Sequence, residues 1–392
     1  MHYNYLIIGG GMTADAAVQG IREVDTKGSI GLISKETNPP YDRPPLTKGL
    51  WKGKAKEEIW RGTEDLGVEL HLNCKAQILD PENKRVTDTE QNSYTFDKLL
   101  LATGGTPRKL PFGNDQIIYF RTVKDFERLQ SLAQEKKRFA VIGGGFIGSE
   151  IAAALAMNDQ DVVMIFPEAG IGALNFPPGL SSFLNDYYRE KGVEVLAGGM
   201  VNGLTTSGDR LALQTESSGK IVADTVVAGI GIKPNTALAE TAGLEVSDQG
   251  IVVDKSLRTS HPDIFAAGDV ASFYNLALGK RLRVEHEDNA NTMGKTAGQA
   301  MAGEDVVYDY LPYFYSDLFD LGYEAVGELN PDLETVADWQ EPYRKGVIYY
   351  LSNERQVRGV ILWNVWDQID AARELISQPG PFKAKDLKGR LK

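Results

Sequence analysis

Apolar residues gather in short unbroken runs, and the clearest of these runs stop at glycines. The runs at 5–8 and 139–142 end at the triplets Gly9-Gly10-Gly11 and Gly143-Gly144-Gly145. An apolar run without alternation is typical of a strand buried on both faces of a parallel sheet. The residues after each triplet have a helical pattern, so we predict a strand, a tight turn and a helix at both places, the first helix spanning about 12–25.

Other runs along the chain predict further strands near 29–33, 99–101, 161–166, 226–228 and 263–266. From about 306 the aromatic content rises and polar and apolar residues alternate, as at 346–350, which predicts an antiparallel sheet. An amphipathic helix is expected at 369–377.

The similar segments 1–110 and 139–235 indicate an internal duplication. We therefore predict an α/β fold class, with two Rossmann-like dinucleotide-binding domains and a C-terminal α+β domain with an antiparallel sheet. The expected boundaries are a discontinuous first domain at 1–108 and 236–305, a second at 109–235 and a third at 306–392. The strand near 263–266 is expected to return to the first domain.

Both glycine turns are followed by an acid at a fixed distance. Glu36 lies 22 residues after Ala14, and Glu168 lies 20 residues after Gly148. In a dinucleotide-binding module the glycines let backbone amides approach a pyrophosphate, and the acid accepts from a ribose 2′-hydroxyl. A single such turn also occurs in folds that bind no nucleotide, but two copies with correctly spaced acids favour two dinucleotides. A chain that binds two dinucleotides usually moves electrons between them.

Composition narrows the classes of partner. The chain of 392 residues has a net charge of −12, which argues against nucleic acid as the main partner. No apolar run reaches the length of a membrane span, and the first strand starts almost at Met1, so a cytoplasmic location is expected. The basic residues at 48–56 are either a solvated face or a docking surface for an acidic protein. Cys74 is the one cysteine, which excludes an internal redox disulfide, and the four histidines lack metal-ligand spacing, so no metal is expected.

The order of six motifs resembles the FAD-dependent, NAD(P)H-dependent reductases of small electron carriers, which include ferredoxin and rubredoxin reductases. The motifs are GGGMTA at 9–14, RPPLTK at 43–48, LATGGTPR at 101–108, GGGFIGSE at 143–150, GIGIKPN at 229–235 and IFAAGDVA at 264–271. The resemblance implies the glutathione-reductase fold without its redox disulfide. Within the family, the stretches at 166–168, 284–288 and 360–364 are most similar to apoptosis-inducing-factor-like proteins and monodehydroascorbate reductases.

The resemblance also implies site residues. Those expected to bind FAD are Gly9, Gly11, Ala14, Glu36, Arg43, Lys48, Thr103, Gly104, Arg108, Gly268, Asp269, Glu285 and His286. Those expected to bind NADH are Gly143, Gly145, Phe146, Ile147, Gly148, Glu150, Glu168 and Gly231.

Lys48 and Glu150 are the implied catalytic pair. A lysine at the flavin stabilises the negative charge that arrives with hydride, and a carboxylate beside it keeps the lysine charged. Without the resemblance, the same two residues would be interpreted as unrelated surface charges. Tyr315 is expected on the side that meets the electron acceptor, with packing in the core of the C-terminal domain as the alternative.

The expected reaction is hydride transfer from NADH to FAD, followed by electron release, one electron at a time, to a small carrier protein of the ferredoxin or rubredoxin type. Glu168 favours NADH over NADPH, because a carboxylate repels a 2′-phosphate. Two alternatives stay open: reduction of a small oxidant (a quinone, monodehydroascorbate or oxygen), and an apoptosis-inducing-factor-like redox sensor with slow turnover. A monomer or a homodimer is expected.

Overall fold

A computed structural model describes residues 1–216 and 219–392 of the chain. It divides into two compact units, each formed from several segments. The first unit comprises Met1–Arg43, Ala55–Thr106 and Lys233–Pro312, and the second comprises Pro44–Lys54, Pro107–Ile232 and Tyr313–Lys392. Short strands at Gly105–Pro107 and Ile232–Pro234 lie where the chain passes from one unit to the other.

The first unit is built on a seven-stranded sheet with a parallel half. In spatial order the parallel strands are Val68–His71, Ile30–Ile33, His2–Ile8, Ser93–Leu101 and Ile264–Ala266. The antiparallel strands Arg85–Asp88 and Ala76–Asp80 continue the sheet beyond Ser93–Leu101. The apolar runs fill the middle of this sheet, where Leu6, Ile7, Leu99 and Leu100 are fully buried.

Helices and a second sheet complete the first unit. The helices are Met12–Val24, Ala237–Thr241 and Glu287–Met301, with 3-10 turns at Lys56–Ile59, Thr63–Leu66 and Gly268–Val270. The second sheet contains, in spatial order, Val246–Ser247, Gly250–Val252, Ala271–Asn275 and Lys280–Leu282. The helices Met12–Val24 and Glu287–Met301 pack closely, because Gly298 brings its backbone against the Ala17 carbonyl.

The second unit repeats the parallel arrangement. Its five parallel strands are, in spatial order, Val193–Ala197, Asp161–Phe166, Arg138–Ile142, Thr225–Ala228 and Ile117–Tyr119. A three-stranded antiparallel sheet is formed by Val201–Ser207, Arg210–Thr215 and Gly219–Ala223. The helices are Val123–Leu132, Phe146–Met157 and Pro178–Glu190, with 3-10 turns at Pro44–Thr47, Gly49–Lys52 and Asn114–Gln116.

The C-terminal part of the second unit is a five-stranded antiparallel sheet. Its spatial order is Tyr313–Leu318, Leu321–Gly327, Val357–Trp363, Lys345–Leu351 and Glu334–Glu341. The helix Ile369–Ser377 packs on two of these strands, and the short helix Ala384–Leu387 follows. Trp363 and Tyr323 stack in the buried face, with ring centroids 5.4 Å apart and an interplanar angle of 9°.

The α/β fold class and the elements predicted from the apolar pattern are confirmed, including both strand–turn–helix units and the helix at 369–377. The strand Ile264–Ala266 joins the first sheet, where its return was expected. The division into three domains with assigned nucleotides stays a prediction. Among residues 1–216 and 219–392, no helix combines the length and the hydropathy that a bilayer span requires.

Candidate functional site

The first glycine turn connects the first strand to the first helix in the first unit. Gly9 has φ +139°, and a Cβ at Gly9 would lie 2.1 Å from the carbonyl oxygen of Ala102, which directly follows the neighbouring strand, so only glycine fits. Gly11 is the N-cap of the helix, and no side chain of the described residues caps it. Ala14 is fully buried where helix and strand meet. The backbone amides of such an uncapped helix N-terminus can hold a pyrophosphate.

Glu36 lies beyond the second strand of the first unit, with two donors on its carboxylate. The Tyr41 hydroxyl donates to one oxygen at 2.7 Å and Arg43 donates to the other at 2.5 Å. Burial raises the pKa of Glu36, but the positive charge of Arg43 and the Tyr41 hydroxyl outweigh it, so the net pKa is lowered. Glu36 is therefore an ionised acceptor held in place by Arg43.

Thr103 and Gly104 lie at the end of the strand Ser93–Leu101. The Thr103 hydroxyl donates to the carbonyl of Asn235 at 2.8 Å, and the Asn235 side chain donates back to the Thr103 carbonyl at 2.8 Å. Gly104 accepts from the Asn235 amide at 2.9 Å. The Thr103 hydroxyl is thus used to fix this loop, a role that the sequence did not indicate.

Gly268 and Asp269 follow the returning strand of the first sheet. A Cβ at Gly268 would lie 2.3 Å from Oγ1 of Thr13, so this segment closely approaches the start of the first helix. Asp269 is buried at 9% exposure, and its carbonyl accepts from Arg283 at 3.2 Å. The two predicted residues therefore adjoin the first glycine turn.

Glu285 and His286 immediately precede the long helix Glu287–Met301 of the first unit. Glu285 forms an ion pair with Arg283 at 2.5 Å, and His286 is the N-cap of the helix. Since Arg283 also donates to the Asp269 carbonyl, one guanidinium connects Glu285 to the segment at 268–269.

The second glycine turn in the second unit has the same geometry. Gly143 has φ +116°, and a Cβ at Gly148 would lie 2.0 Å from the Gly143 carbonyl oxygen, so a larger residue would push the helix away from the strand. Gly145 is the N-cap and has open space where a Cβ would stand. Phe146 packs edge-on against Phe314 at 5.3 Å, whereas Ile147 is 38% exposed.

Glu168 follows the neighbouring parallel strand Asp161–Phe166, so it lies at the same carboxyl edge as the second glycine turn. Its backbone carbonyl accepts from Gly198 at 2.8 Å, and its side chain is half-buried. Gly231 has φ +85° and accepts from the Arg108 amide at 2.9 Å; both residues are exposed. The structure thus places Arg108 beside Gly231, one of the residues predicted for NADH.

Lys48 and Glu150, the predicted catalytic pair, are in contact within the second unit. Lys48 donates to one Glu150 oxygen at 2.7 Å, and the two side chains are 12% and 4% exposed. Thr47 donates to that same oxygen at 2.5 Å, and Ser316 donates to the other oxygen at 2.5 Å. We call Thr47, Lys48, Glu150 and Ser316 the glutamate cluster. Buried charges are stable only when they are paired and hydrogen-bonded, and this cluster meets both conditions.

Tyr315 directly precedes Ser316 in the strand Tyr313–Leu318. The Lys48 ammonium lies 5.2 Å from the centroid of the Tyr315 ring, within cation–π range. Tyr315 is half-buried, whereas Phe314 and Tyr323 make an edge contact on the buried face of the sheet. The structure therefore brings Tyr315 to Lys48 and leaves its acceptor-side role a prediction.

A second buried ion pair in the first unit was missed from the sequence. Asp15, fully buried in the first helix, accepts from Arg61 at 2.6 Å and from Thr63 at 2.6 Å. Arg61 also donates to Asp42 at 2.6 Å and to Asn291 at 3.0 Å. The available signal was Asp15 itself, a charged residue at a position of the first helix that faces the core.

The lone cysteine and the possible metal ligands are the remaining candidates for chemistry. The Cys74 thiol donates to Asp88 at 3.2 Å, and burial together with this carboxylate raises its pKa, so the thiol stays protonated. In the part of the chain that the structure describes, no group of three or more His, Cys, Asp or Glu side chains could hold a metal ion.

The two glycine turns fit two dinucleotides. Each offers an uncapped helix N-terminus, glycines at the close approach, and an acid at the next strand of the same sheet edge. Gly11, Glu36 and Asp269 would hold FAD, and Gly145 and Glu168 would hold the nicotinamide nucleotide. Such a pair of modules defines the class of flavin-dependent oxidoreductases that use NAD(P)H.

Comparison with known proteins agrees with this class. The pyridine nucleotide-disulphide oxidoreductase family matches residues 3–294, and the chain belongs to that family. It is an oxidoreductase that binds FAD and a nicotinamide nucleotide. A second family, described as the C-terminal part of mitochondrion-associated apoptosis-inducing factor, matches residues 337–378.

Individual relatives cover most of the chain. It is 36% identical to apoptosis-inducing factor 1, mitochondrial, of Dictyostelium discoideum, over 95% of this chain and 78% of the relative. It is 35% identical to the ferredoxin reductase subunit of 5,5′-dehydrodivanillate O-demethylase from Sphingobium sp., over 83% of this chain and 82% of the relative. The reductase in a covalent putidaredoxin reductase–putidaredoxin complex is similar in structure, with a TM-score of 0.89, 29% identity, and coverage of 96% and 93% of the two chains.

Proposed function

We propose that the chain takes electrons from NADH and delivers them, one at a time, to a small redox carrier protein of the ferredoxin type. The observation that carries this proposal is the buried glutamate cluster, in which a lysine charge is fixed in the unit that contains the second glycine turn. Two relatives are reductases of such carriers by name, one of them joined to its carrier.

The chemistry of hydride transfer is supplied by the cofactors when bound. The chain itself binds the two cofactors and places a positive charge beside the reacting groups. The amides of the helix at Gly145 hold the nucleotide pyrophosphate, and Glu168 accepts from its ribose. Glu150 holds the Lys48 ammonium in place at 2.7 Å, so that a positive charge is fixed where negative charge develops. Tyr315, beside Lys48, faces the acceptor in this proposal.

The basic segment near Lys48 has a divided role in this proposal. Lys48 is only 12% exposed and is paired with Glu150, whereas Lys52 is 47% exposed and lies 3.9 Å from Asp317. Lys54 is exposed as well. We therefore assign steering of an acidic carrier to Lys52 and Lys54, and polarisation to Lys48.

The test is to reduce the purified flavoprotein with NADH without air and then to offer acceptors one at a time. Fast electron transfer to a ferredoxin or rubredoxin, slowing as salt rises while reduction by NADH stays constant, supports the proposal. The double variant Lys52→Ala/Lys54→Ala should lose most of that salt dependence, with Lys345→Ala, exposed and far along the sequence, as control. Fast, salt-independent reduction of a quinone or monodehydroascorbate with no carrier reduction contradicts it.

A redox sensor is the second candidate, favoured by the match of residues 337–378 to the apoptosis-inducing-factor C-terminal family. In that case, the NADH-reduced protein persists for minutes in the presence of every acceptor and changes its dimer state. The cytoplasmic location and the choice between monomer and homodimer stay predictions; one close relative is mitochondrial by name.

A further inference from the structure

Both carboxylate oxygens of Glu150 are occupied by donors from distant parts of the chain. Ser316 donates to Oε1, and Thr47 and Lys48 donate to Oε2. Thr47 ends the 3-10 turn Pro44–Thr47, and Ser316 lies inside the strand Tyr313–Leu318. Glu150 is separated from them by 103 and 166 positions in sequence, so neither contact follows from local structure.

We propose that Thr47 and Ser316 are positioning residues for the reaction: their hydroxyls hold the Glu150 carboxylate in the orientation that fixes the Lys48 ammonium. This inference rests on the proposed function of Lys48. Each hydroxyl is adjacent in sequence to a residue of the site, because Thr47 precedes Lys48 and Ser316 follows Tyr315. One carboxylate therefore sets the positions of the lysine and of the aromatic ring beside it.

The physical reason is the cost of a buried carboxylate. Glu150 is 4% exposed, so water cannot replace a missing donor. Hydroxyl donors favour the ionised form. If Ser316 were absent, Oε1 would lose its donor, and the carboxylate would be free to rotate away from Lys48.

Two phenols of the described residues, Tyr188 and Tyr323, also face Glu150. Tyr188, from the helix Pro178–Glu190, donates to the Ser149 carbonyl at 3.0 Å, and Tyr323 reaches Ser316 from the neighbouring strand. Burial, reinforced by the charge of Glu150, raises the pKa of both phenols well above their ordinary value. Both phenols therefore stay neutral and add no negative charge beside the pair of Glu150 and Lys48.

The experiment compares flavin-loaded Ser316→Ala, Thr47→Val and Thr47→Ser with a matched control, Ser181→Ala. Ser181 is also a buried serine, and its hydroxyl has no hydrogen-bond partner within residues 1–216 and 219–392. Loss of one charge-assisted hydrogen bond predicts about tenfold slower flavin reduction by NADH in S316A and T47V, with unchanged NADH affinity. The flavin midpoint potential should fall in both variants, because less positive charge is fixed near the site. T47S and S181A should behave as the wild type.

A purely structural role of these hydroxyls would lower the unfolding temperature and leave the midpoint potential unchanged, which refutes the inference. Equal flavin reduction rates and midpoint potentials of T47V and T47S also refute the inference. If S316A loses its flavin, the comparison of T47V with T47S is the test. Failure of NADH to reduce the wild-type protein is a different outcome, since it overturns the proposed function itself.

Discussion

The buried pair of Asp15 and Arg61 gives a sharp test of the first unit. The substitution Asp15→Asn keeps the side-chain volume but replaces one acceptor oxygen by a donor. Asp15 is fully buried and accepts from Arg61, Thr63 and Gln19, so one of these donors would then face another donor. The variant therefore probes the cost of a buried, mismatched hydrogen bond.

The magnitude follows from what Arg61 retains. Removing one partner of a buried ion pair costs about 3–5 kcal/mol. Arg61 still has Asp42 at 2.6 Å and Asn291 at 3.0 Å and is 16% exposed, which reduces the loss. We expect Asp15→Asn to lower the free energy of unfolding by about 2–3 kcal/mol.

The assay is urea unfolding of the flavin-loaded protein, followed by circular dichroism. With equal slopes, the difference between the midpoints gives the change in free energy. The control is Asp186→Asn, which removes an exposed i,i+3 pair with Arg189 and should cost at most about 0.5 kcal/mol. If Asp15→Asn shifts the midpoint no more than Asp186→Asn, the buried pair does not stabilise the unit.

Three further predictions concern pH, nucleotide choice and the acceptor side. Burial raises the pKa of Asp88, but hydrogen bonds, that from the Asn92 side chain first, outweigh it and lower the pKa to about 2. An unfolded aspartate titrates at about 3.9, so ionised Asp88 stabilises the folded protein fully above that pH, and this contribution is lost as the pH falls towards 2. In thermal scans, the unfolding temperature of Asp88→Asn should therefore change less between these pH values than that of the wild type. Glu168→Ala should raise the NADPH/NADH ratio of kcat/KM about tenfold; an unchanged ratio removes Glu168 from the ribose site. Tyr315→Ala should slow carrier reduction while flavin reduction by NADH continues, and an unaffected carrier rate would return Tyr315 to a packing role.

The sequence was most informative where structure is local. The turn at Gly9 requires φ +139°, and the turn at Gly143 requires φ +116°. Because such values favour glycine, each turn is visible in the sequence as a glycine directly after an apolar run. The spacing to Glu36 and Glu168 follows from one helix and one strand of ordinary length. Such features can be read without knowing which distant segments meet.

The partners of the buried charges were not predictable in this way. Thr47 and Ser316 are ordinary residues in their own segments, and only the tertiary fold brings their hydroxyls to Glu150. Asp15 and Arg61 are 46 positions apart, and no periodic pattern connects them. The Lys48–Glu150 contact was expected only through family resemblance, since the spacing of 102 residues has no meaning by itself.

The family is named for disulphide chemistry, but this chain has a single cysteine. Cys74 does not take the place of a redox dithiol, because burial and its hydrogen bond to the Asp88 carboxylate raise the pKa of the thiol and keep it unreactive. Two electrons taken from NADH therefore have no internal dithiol to receive them within this chain. They must leave for an external acceptor, and we propose that Tyr315, whose ring centroid lies 5.2 Å from the Lys48 ammonium, is on the side that meets it.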